Sequence, residues 1–379
     1  MNESRRGEIA VVSDFGRAFS AEADERNVEI IRRRHQWWGK LARRMGWRLK
    51  VVDLARVDES QMREAKVVWI DMPLLTSDRY RWAWGRCAGA AQGAEVLDRV
   101  EDVSAVYGLD RSLGEVAKAG FRIPRTALVP VDERTAGQIE SPRDVRRLLS
   151  EKIYRAVFDE GIDPHEGLYI RGYYSSLKSP NAVTYYASNQ EDLEETACEV
   201  IKNLRRTLEV GGLAVREFLE LEKLHLPWPQ GGEGFARLPW EVRFTILERR
   251  TILASYHGPF DGLSDEEKRR IEDAVGKKEA NLREVEELGQ KLATLAVGPN
   301  YCADVGFLKS GEPVVIELNP LYSSGYNVAR AHAWALVNLG AGLAERAGYA
   351  RAGRSEIVEA AEELCGEKIE DGPLARFWG

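Results

Sequence analysis

The stretch "ADVGFLKSGEPVVIELNP", residues 303–320, constrains the fold more than any other part of the chain. Two apolar runs flank Ser310-Gly311, which reads as a hairpin turning there. Val314, Val315 and Ile316 suit a buried strand, yet Glu317 and Asn319 follow, with Leu318 between them. Strand side chains alternate, so 317 and 319 share a face. With the turn centred near Gly311, residue 304 lies across from 317 or 318. Asp304, Glu317 and Asn319 then project into one small volume, and a one-residue slip would turn Asp304 away. Two carboxylates and an amide oxygen repel unless a cation sits between them. Hard oxygen donors on rigid strands suit Mg²⁺. The plain alternative is a strand reaching solvent before a turn.

The rest of the chain narrows the setting. Its 379 residues are enough for two or three domains. A net charge of −7 argues against a duplex nucleic-acid binder, which shows a basic face. The N-terminal apolar run "IAVV" is short for a signal peptide, and no run approaches the ~20 residues of a membrane span. Four separated cysteines and five scattered histidines form no zinc or disulfide pattern. A cytoplasmic protein without membrane or nucleic-acid partners is expected.

Residues 1–103 read as a small α/β unit. Strands "EIAVVSDFG", "WRLKVVDL" and "KVVWIDMP" surround a helix at 26–45, whose Ile30, Ile31, Trp37, Trp38, Leu41 and Met45 fall near one face. No GxGxxG is present, so a dinucleotide site has no support there. Asp71 either faces a cleft or caps a turn before Pro73. Residues 104–212 follow with helix and strand signals: "DRSLGEVAKAGFRIPRTALVP", a helix opened by Ser141-Pro142, strands around "YYSSLKSP", and a helix ending at Gly211-Gly212. Residues 213–379 open with the strand "LAVREFLEL". "EKLHLPWPQGGEGFARLP" reads as an irregular loop or lid. "WEVRFTILERRTILASYHG" is a hairpin turning near 248–250. Helices are expected over 264–296, broken near Gly276, then over 329–347 and 354–369.

Cations stand on the strands around the acidic set. Arg171 lies in "LYIRGYY", Lys178 in the loop after it, Arg216 in "AVREF" and Arg243 in "WEVRF". An inward arginine needs a partner, and phosphate matches its fork. The alternative for each is a solvated surface head; Arg216 could equally pair with an acid on a neighbouring strand. In "REFLELE", Phe218 and Leu219 could sandwich adenine at a strand edge. Glu222 and Glu241 are both candidates to accept from ribose hydroxyls.

In this order the features resemble the ATP-grasp superfamily, from about Ser104 to about Gly340. "LGEVAKAGFRIPRTALV" looks like its entry helix and strand, and "LYIRGYYSSLK" stands where its phosphate strand and loop lie. "AVREFLEL" looks like its adenine hinge, "EVRFTIL" the strand after it, and "ADVGFLKSGEPVVIELNP" its closing hairpin. The resemblance implies an α+β fold of two subdomains clasping ATP, preceded by a small α/β domain. It implies that Asp304, Glu317 and Asn319 hold one or two Mg²⁺ on ATP. Arg171 takes the place of the usual phosphate lysine, and Glu217, Phe218 and Leu219 line the hinge. Glu241 or Glu222 meets the ribose, and Arg243 faces the phosphates or the acyl phosphate. The glycine-rich loop is replaced by "YYSSLKSP", so Ser175, Ser176 and Lys178 would make those contacts. Arginine for lysine is similar to a subgroup whose site uses two arginines and one lysine. The arginine often found before the metal aspartate is missing from "NYCADV", and Arg243 or Lys178 would substitute.

The implied activity is an ATP-dependent carboxylate–amine ligase acting on small-molecule or peptide substrates through an acyl phosphate. Positioning and charge stabilisation by Arg243, Lys178 and Arg171 would carry it. Ser323, Ser324 and Gly325 could bind the substrate carboxylate or acyl phosphate, and Trp228 and Trp240 could cover it; a plain loop and core tryptophans are the alternatives. A phosphotransferase on the same scaffold, or a nucleotide-binding module without catalysis, are the rival functions. A homodimer is compatible with the sequence.

Overall fold

The computed structural model describes residues 7–13, 25–71, 77–173, 186–206, 211–227, 235–256, 264, 266, 282–321 and 329–369. The first sheet has strands β1 (Glu8–Ser13), β2 (Leu49–Asp53), β3 (Ala65–Ile70) and β4 (Glu95–Val96). All pairs are parallel, in the order β2-β1-β3-β4. Ile9 to Val12 and Val67 to Ile70 are buried without alternation, as expected of parallel strands covered on both faces. The helix Glu25–Met45 connects β1 to β2 and stops at Gly46, whose φ of +66° few other residues adopt.

A second sheet is antiparallel: β5 (Thr126–Pro130), β6 (Leu168–Gly172), β7 (Tyr186–Ala187) and β8 (Gly212–Glu217), in the order β5-β8-β6-β7. The helices Ser150–Asp159 and Gln190–Arg206 cover one face and share its core through Ile153, Val157, Leu193 and Ala197. The opposite face carries Thr126, Tyr169, Arg171 and Arg216, which share it by register.

The stretch expected to be an irregular lid contains a small antiparallel ladder, β9 (Lys223–Pro227) and β10 (Phe235–Pro239). The ladder forms on either side of the Pro- and Gly-rich segment, so backbone pairing prevails over loop-like composition.

The third sheet follows the expected hairpins: β11 (Glu241–Leu247), β12 (Arg250–Tyr256), β13 (Tyr301–Phe307) and β14 (Pro313–Pro320), ordered β12-β11-β13-β14 and antiparallel throughout. The β11–β12 turn places Glu248 and Arg249 at φ of +50° and +59°, the hand a two-residue hairpin needs. Asn300 Oδ1 and Pro299 O accept from their two amides. Beyond β14 lie the helices Ala329–Arg346 and Arg354–Cys365, both predicted. Part of the 264–296 helical expectation falls outside the described residues, and Leu282–Leu292 is helical. Among the described residues no helix is long and apolar enough to cross a membrane.

The helix Ala329–Arg346 joins the first sheet to the third, packing on both β12 and the helix Glu25–Met45. Gly340 is where the two helices meet. A Cβ there would lie 2.9 Å from Leu41 and 3.0 Å from Trp47. We expect Gly340→Ala to destabilise by about 1–3 kcal/mol through overpacking, read as a lower midpoint in urea with an unchanged slope.

Candidate active site

The polar face of the third sheet is organised in rows. Register sets Ser255, Arg243, Asp304 and Glu317 side by side across four strands; Thr245, Cys302 and Asn319 form the next row. The pairing of Asp304 with Glu317 agrees with the register expected from a turn near Gly311. A register shift between Asp304 and Val305 leaves Ile316 unpaired. Such a bulge twists the strand and re-aims the side chain beyond it, and here it sets the exit of β14 with Glu317 over Asp304. Gly306 serves the same region: a Cβ there would meet Leu221 at 2.7 Å, so glycine lets the segment after β8 lie across β13.

One charged array runs through the site. Asp304, fully buried, accepts from Arg243 Nε and Nη2, both at 2.6 Å. Asn319 Nδ2 donates to Asp304 Oδ2 and to Glu317 Oε1, each at 3.0 Å. Glu317 Oε2 accepts from Arg171 Nη1, which reaches over from the second sheet. The order is Arg243, Asp304, Asn319, Glu317, Arg171, and the last pair bridges the two sheets. Burial alone would raise the Glu317 carboxyl; Arg171 first, then Asn319 and Arg243, outweigh it and hold it well below the usual carboxylate range. Burial alone would likewise lower the Arg243 and Arg171 guanidiniums, and their carboxylate partners raise both instead.

The array tests whether the acidic set suits a divalent ion. Its donors are hard oxygens from two strands, the chemistry Mg²⁺ prefers. The positive pole of an amide already lies between the two carboxylates, where a cation would bridge them. Turning the Asn319 amide over its last bond presents Oδ1 instead, an exchange invisible to its shape. The set fits. Among the described residues no cluster of three or more His, Cys, Asp or Glu side chains offers a different metal site.

Arg216 is the cation to which the sequence assigns least. Its expected alternative is an acid on a neighbouring strand; in the structure its Nε donates instead to Thr126 Oγ1 at 3.2 Å, and among the described residues its Nη2 has no hydrogen-bond partner. Only 2% of the residue is exposed. Burial first, then the neighbouring Arg171, lower its pKa to about 10, so it stays charged at neutral pH. A buried guanidinium with an idle donor is costly without an anion. We expect Arg216→Met to leave thermal stability unchanged or raised, and to weaken binding of an ATP analogue by about ten- to a hundredfold, the value of one or two charge-assisted hydrogen bonds. Calorimetric titration of the two proteins reads both effects.

The expected nucleotide hinge is divided. The Glu217 carboxylate accepts from Arg125 N at 2.9 Å and Nε at 2.8 Å, tying β8 to the entry of β5. Phe218 is 41% exposed and meets Tyr186 edge-on at 4.7 Å, while its N–H donates to Gly167 O at 3.2 Å. Leu219, Glu222 and Glu241 are half-buried. Trp240, considered as a substrate cover, is instead buried core stacked on Phe307 at 4.6 Å. Asp71 is buried and paired with Arg34 at 2.9 Å, and the turn before Pro73 lies outside the described residues. Lys178, Ser175, Ser176, Trp228, Ser323, Ser324 and Gly325 lie outside the described residues.

Residues 153–339, which contain this array, match a family model for an ATP-grasp domain, the third family of its clade. The domain over these residues belongs to the ATP-grasp superfamily. Among solved structures it resembles the D-cycloserine synthetase DcsG, at 14% identity and a TM-score of 0.50, over 90% of this chain and 100% of that one. A weaker likeness is to N5-carboxyaminoimidazole synthetase from Staphylococcus aureus, 10% identical with a TM-score of 0.47, over 85% of this chain and 71% of that one. At such identities the likeness concerns the fold alone. No curated protein matches the sequence. Arg171–Glu317 joins the second and third sheets, so Arg171 and Arg216 reach the array from one sheet and Arg243, Asp304, Glu317 and Asn319 from the other.

Proposed function

We propose that this chain is an ATP- and Mg²⁺-dependent ligase that joins a carboxylate to an amine through an acyl phosphate. The observation that carries the reading is the buried array from Arg243 to Arg171, with Arg216 beside it. Two carboxylates and an amide face cations across two sheets, and one buried guanidinium has an idle donor. Asp304, Glu317 and Asn319 would hold Mg²⁺, which when bound neutralises the phosphate oxygens. Arg171 turns from Glu317 to the ATP phosphates, and Arg216 Nη2 takes a second phosphate oxygen. Arg243 stays on Asp304 and holds that carboxylate oriented. Phe218 and Leu219 border the adenine, and Glu222 or Glu241 receives the ribose hydroxyls.

A substrate carboxylate oxygen attacks the γ-phosphorus, the bond to the β-phosphate oxygen breaks, and ADP leaves. The amine then attacks the acyl carbon, expels inorganic phosphate and loses a proton to give the amide. Direct condensation in water is uphill; the mixed anhydride supplies the driving force. Lys178, Ser175 and Ser176 are proposed at the phosphates, and Ser323, Ser324 and Gly325 at the carboxylate. The chain's own contribution is alignment and fixed charge, the usual content of phosphoryl-transfer catalysis.

The test is a screen of carboxylate and amine pairs with ATP and Mg²⁺, following ADP and product mass together. ADP that appears only when both partners are present, with an amide of matching mass, is expected. ADP with a phosphorylated product and no amine requirement would instead establish the phosphotransferase; nucleotide binding without turnover in every mixture would establish the binding module.

A further inference from the structure

The first sheet holds a second polar crevice. Its order puts β2 on one side of β1 and β3 on the other, so the gap at the carboxyl ends of β1 and β3 is a topological switch point, where open parallel sheets take ligands. Ser13 ends β1 and Asp71 follows β3, with Ser13 Oγ donating to Asp71 O at 2.9 Å. Arg34, Trp69 and Asp71 form one wall; Leu321, His332, Ala335, Leu336 and Leu339 form the other. The cavity volume is about 30 Å³, room for one small polar group and well below the volume of a drug-sized ligand pocket. That volume holds about two waters.

The chemistry of the wall is specific. Arg34 and Asp71 form an ion pair whose side chains are only 7% and 6% exposed. Burying such a pair gains little stability over an apolar one. Asp71 accepts from Arg34 Nη1 and, at 3.0 Å, from Trp38 Nε1, two of the roughly four positions a carboxylate offers. Among the described residues the Trp69 indole N–H, buried and lining the crevice, has no hydrogen-bond partner. Most buried indole N–H groups are paired. Burial, then Arg34 and Arg33, push the His332 imidazole down to about 3, so it is neutral and adds no charge. The crevice thus offers one fixed positive and one fixed negative group side by side, an unpartnered donor, and an apolar mouth.

We infer that this crevice binds the head group of a free α-amino acid with a compact apolar side chain. The carboxylate takes the inner space against Arg34 and the Trp69 N–H; the ammonium faces Asp71; the side chain lies on Leu321, Leu336 and Leu339. A simple anion would be repelled by Asp71 and a simple cation by Arg34, whereas a zwitterion matches both. Leu321 is two residues beyond Asn319, about 7 Å along an extended chain. On the ligase reading above, on which only this role rests, the amino acid supplies the amine.

Calorimetric titration of the full chain without nucleotide tests the binding itself, with L-leucine and L-valine as probes. N-acetyl-leucine, which lacks the ammonium, and leucinamide, which lacks the carboxylate, serve as controls. The free amino acids are expected to bind at least about tenfold more tightly than either control. Trp69→Phe removes one donor and is expected to weaken binding about tenfold. Ala335→Leu fills the crevice from the helix and is expected to abolish it. Both variants should bind an ATP analogue as the parent does, which shows that they fold. Equal binding of the controls, unchanged binding in both variants, or no binding of either amino acid would overturn the inference. Binding with the expected pattern and no amide formed in the ligase screen would support the crevice and remove the ligase reading.

Discussion

Replacing Glu317 with Gln is expected to lower ATP turnover by at least about a hundredfold. Glu317 is proposed as a ligand of the Mg²⁺, and it is the partner of Arg171 across the two sheets. Gln keeps the shape and loses the charge, so the variant separates electrostatics from packing. It also leaves Arg171 buried without its anion, so some loss of melting temperature accompanies the loss of turnover. A double variant, Arg171→Met with Glu317→Gln, removes both charges. It should regain stability and stay inactive, which identifies the chemistry as the cause. Turnover at the parent level in Glu317→Gln would sink the metal assignment.

The same pair sets a pH dependence. The folded carboxyl of Glu317 is held below its unfolded value, about 4.3 for a free Glu. Its contribution to stability is therefore complete above that unfolded value. It is lost as the pH falls below it, through the lower folded value, because the unfolded state binds the proton first. Denaturant midpoints measured downward from pH 6 should fall more steeply in the parent than in the double variant.

The second large effect concerns Arg243. Its two 2.6 Å bonds to a carboxylate with no exposed surface mean that Arg243→Met strands a buried anion. The expected cost is about 3–5 kcal/mol, enough to leave little folded protein in a domain of ordinary stability. Arg243→Lys should recover only part of it, since an ammonium cannot make the forked contact. Arg243→Met with Asp304→Asn should fold with a midpoint near the parent's, because no charge is left unpaired, while Mg²⁺-dependent nucleotide binding is lost. Urea unfolding of the three proteins, followed by ATP-analogue titration with and without Mg²⁺, checks both halves. A stable single variant would show that water reaches Asp304.

The third sheet was legible because hairpins are local. Ser310-Gly311 sets the β13–β14 turn, alternation sets the faces, and the pairing of Asp304 with Glu317 follows within one residue. The bulge that leaves Ile316 unpaired carried no signal in the sequence, since it depends on how β14 leaves the sheet. The lid region misled for the opposite reason: prolines and glycines dominate its composition, yet β9 and β10 form on either side of them. Arg34 was overlooked although a signal existed. It lies four residues from both Ile30 and Trp38, on the apolar stripe of its helix, and a charge there implies a buried partner.

By itself the sequence determined the two hairpins of the third sheet, the face that holds Asp304, Glu317 and Asn319, and the ATP-grasp resemblance. Each depends on spacing within a few residues. Only the tertiary structure decided which charges meet. Arg171 finds Glu317 at a separation of 146 residues, Arg34 finds Asp71 at 37, and Arg216 is left with an idle donor. Buried ion pairs form wherever sheets and helices bring side chains into the same dry volume. That volume is set by packing between segments far apart in the chain, to which local spacing is blind.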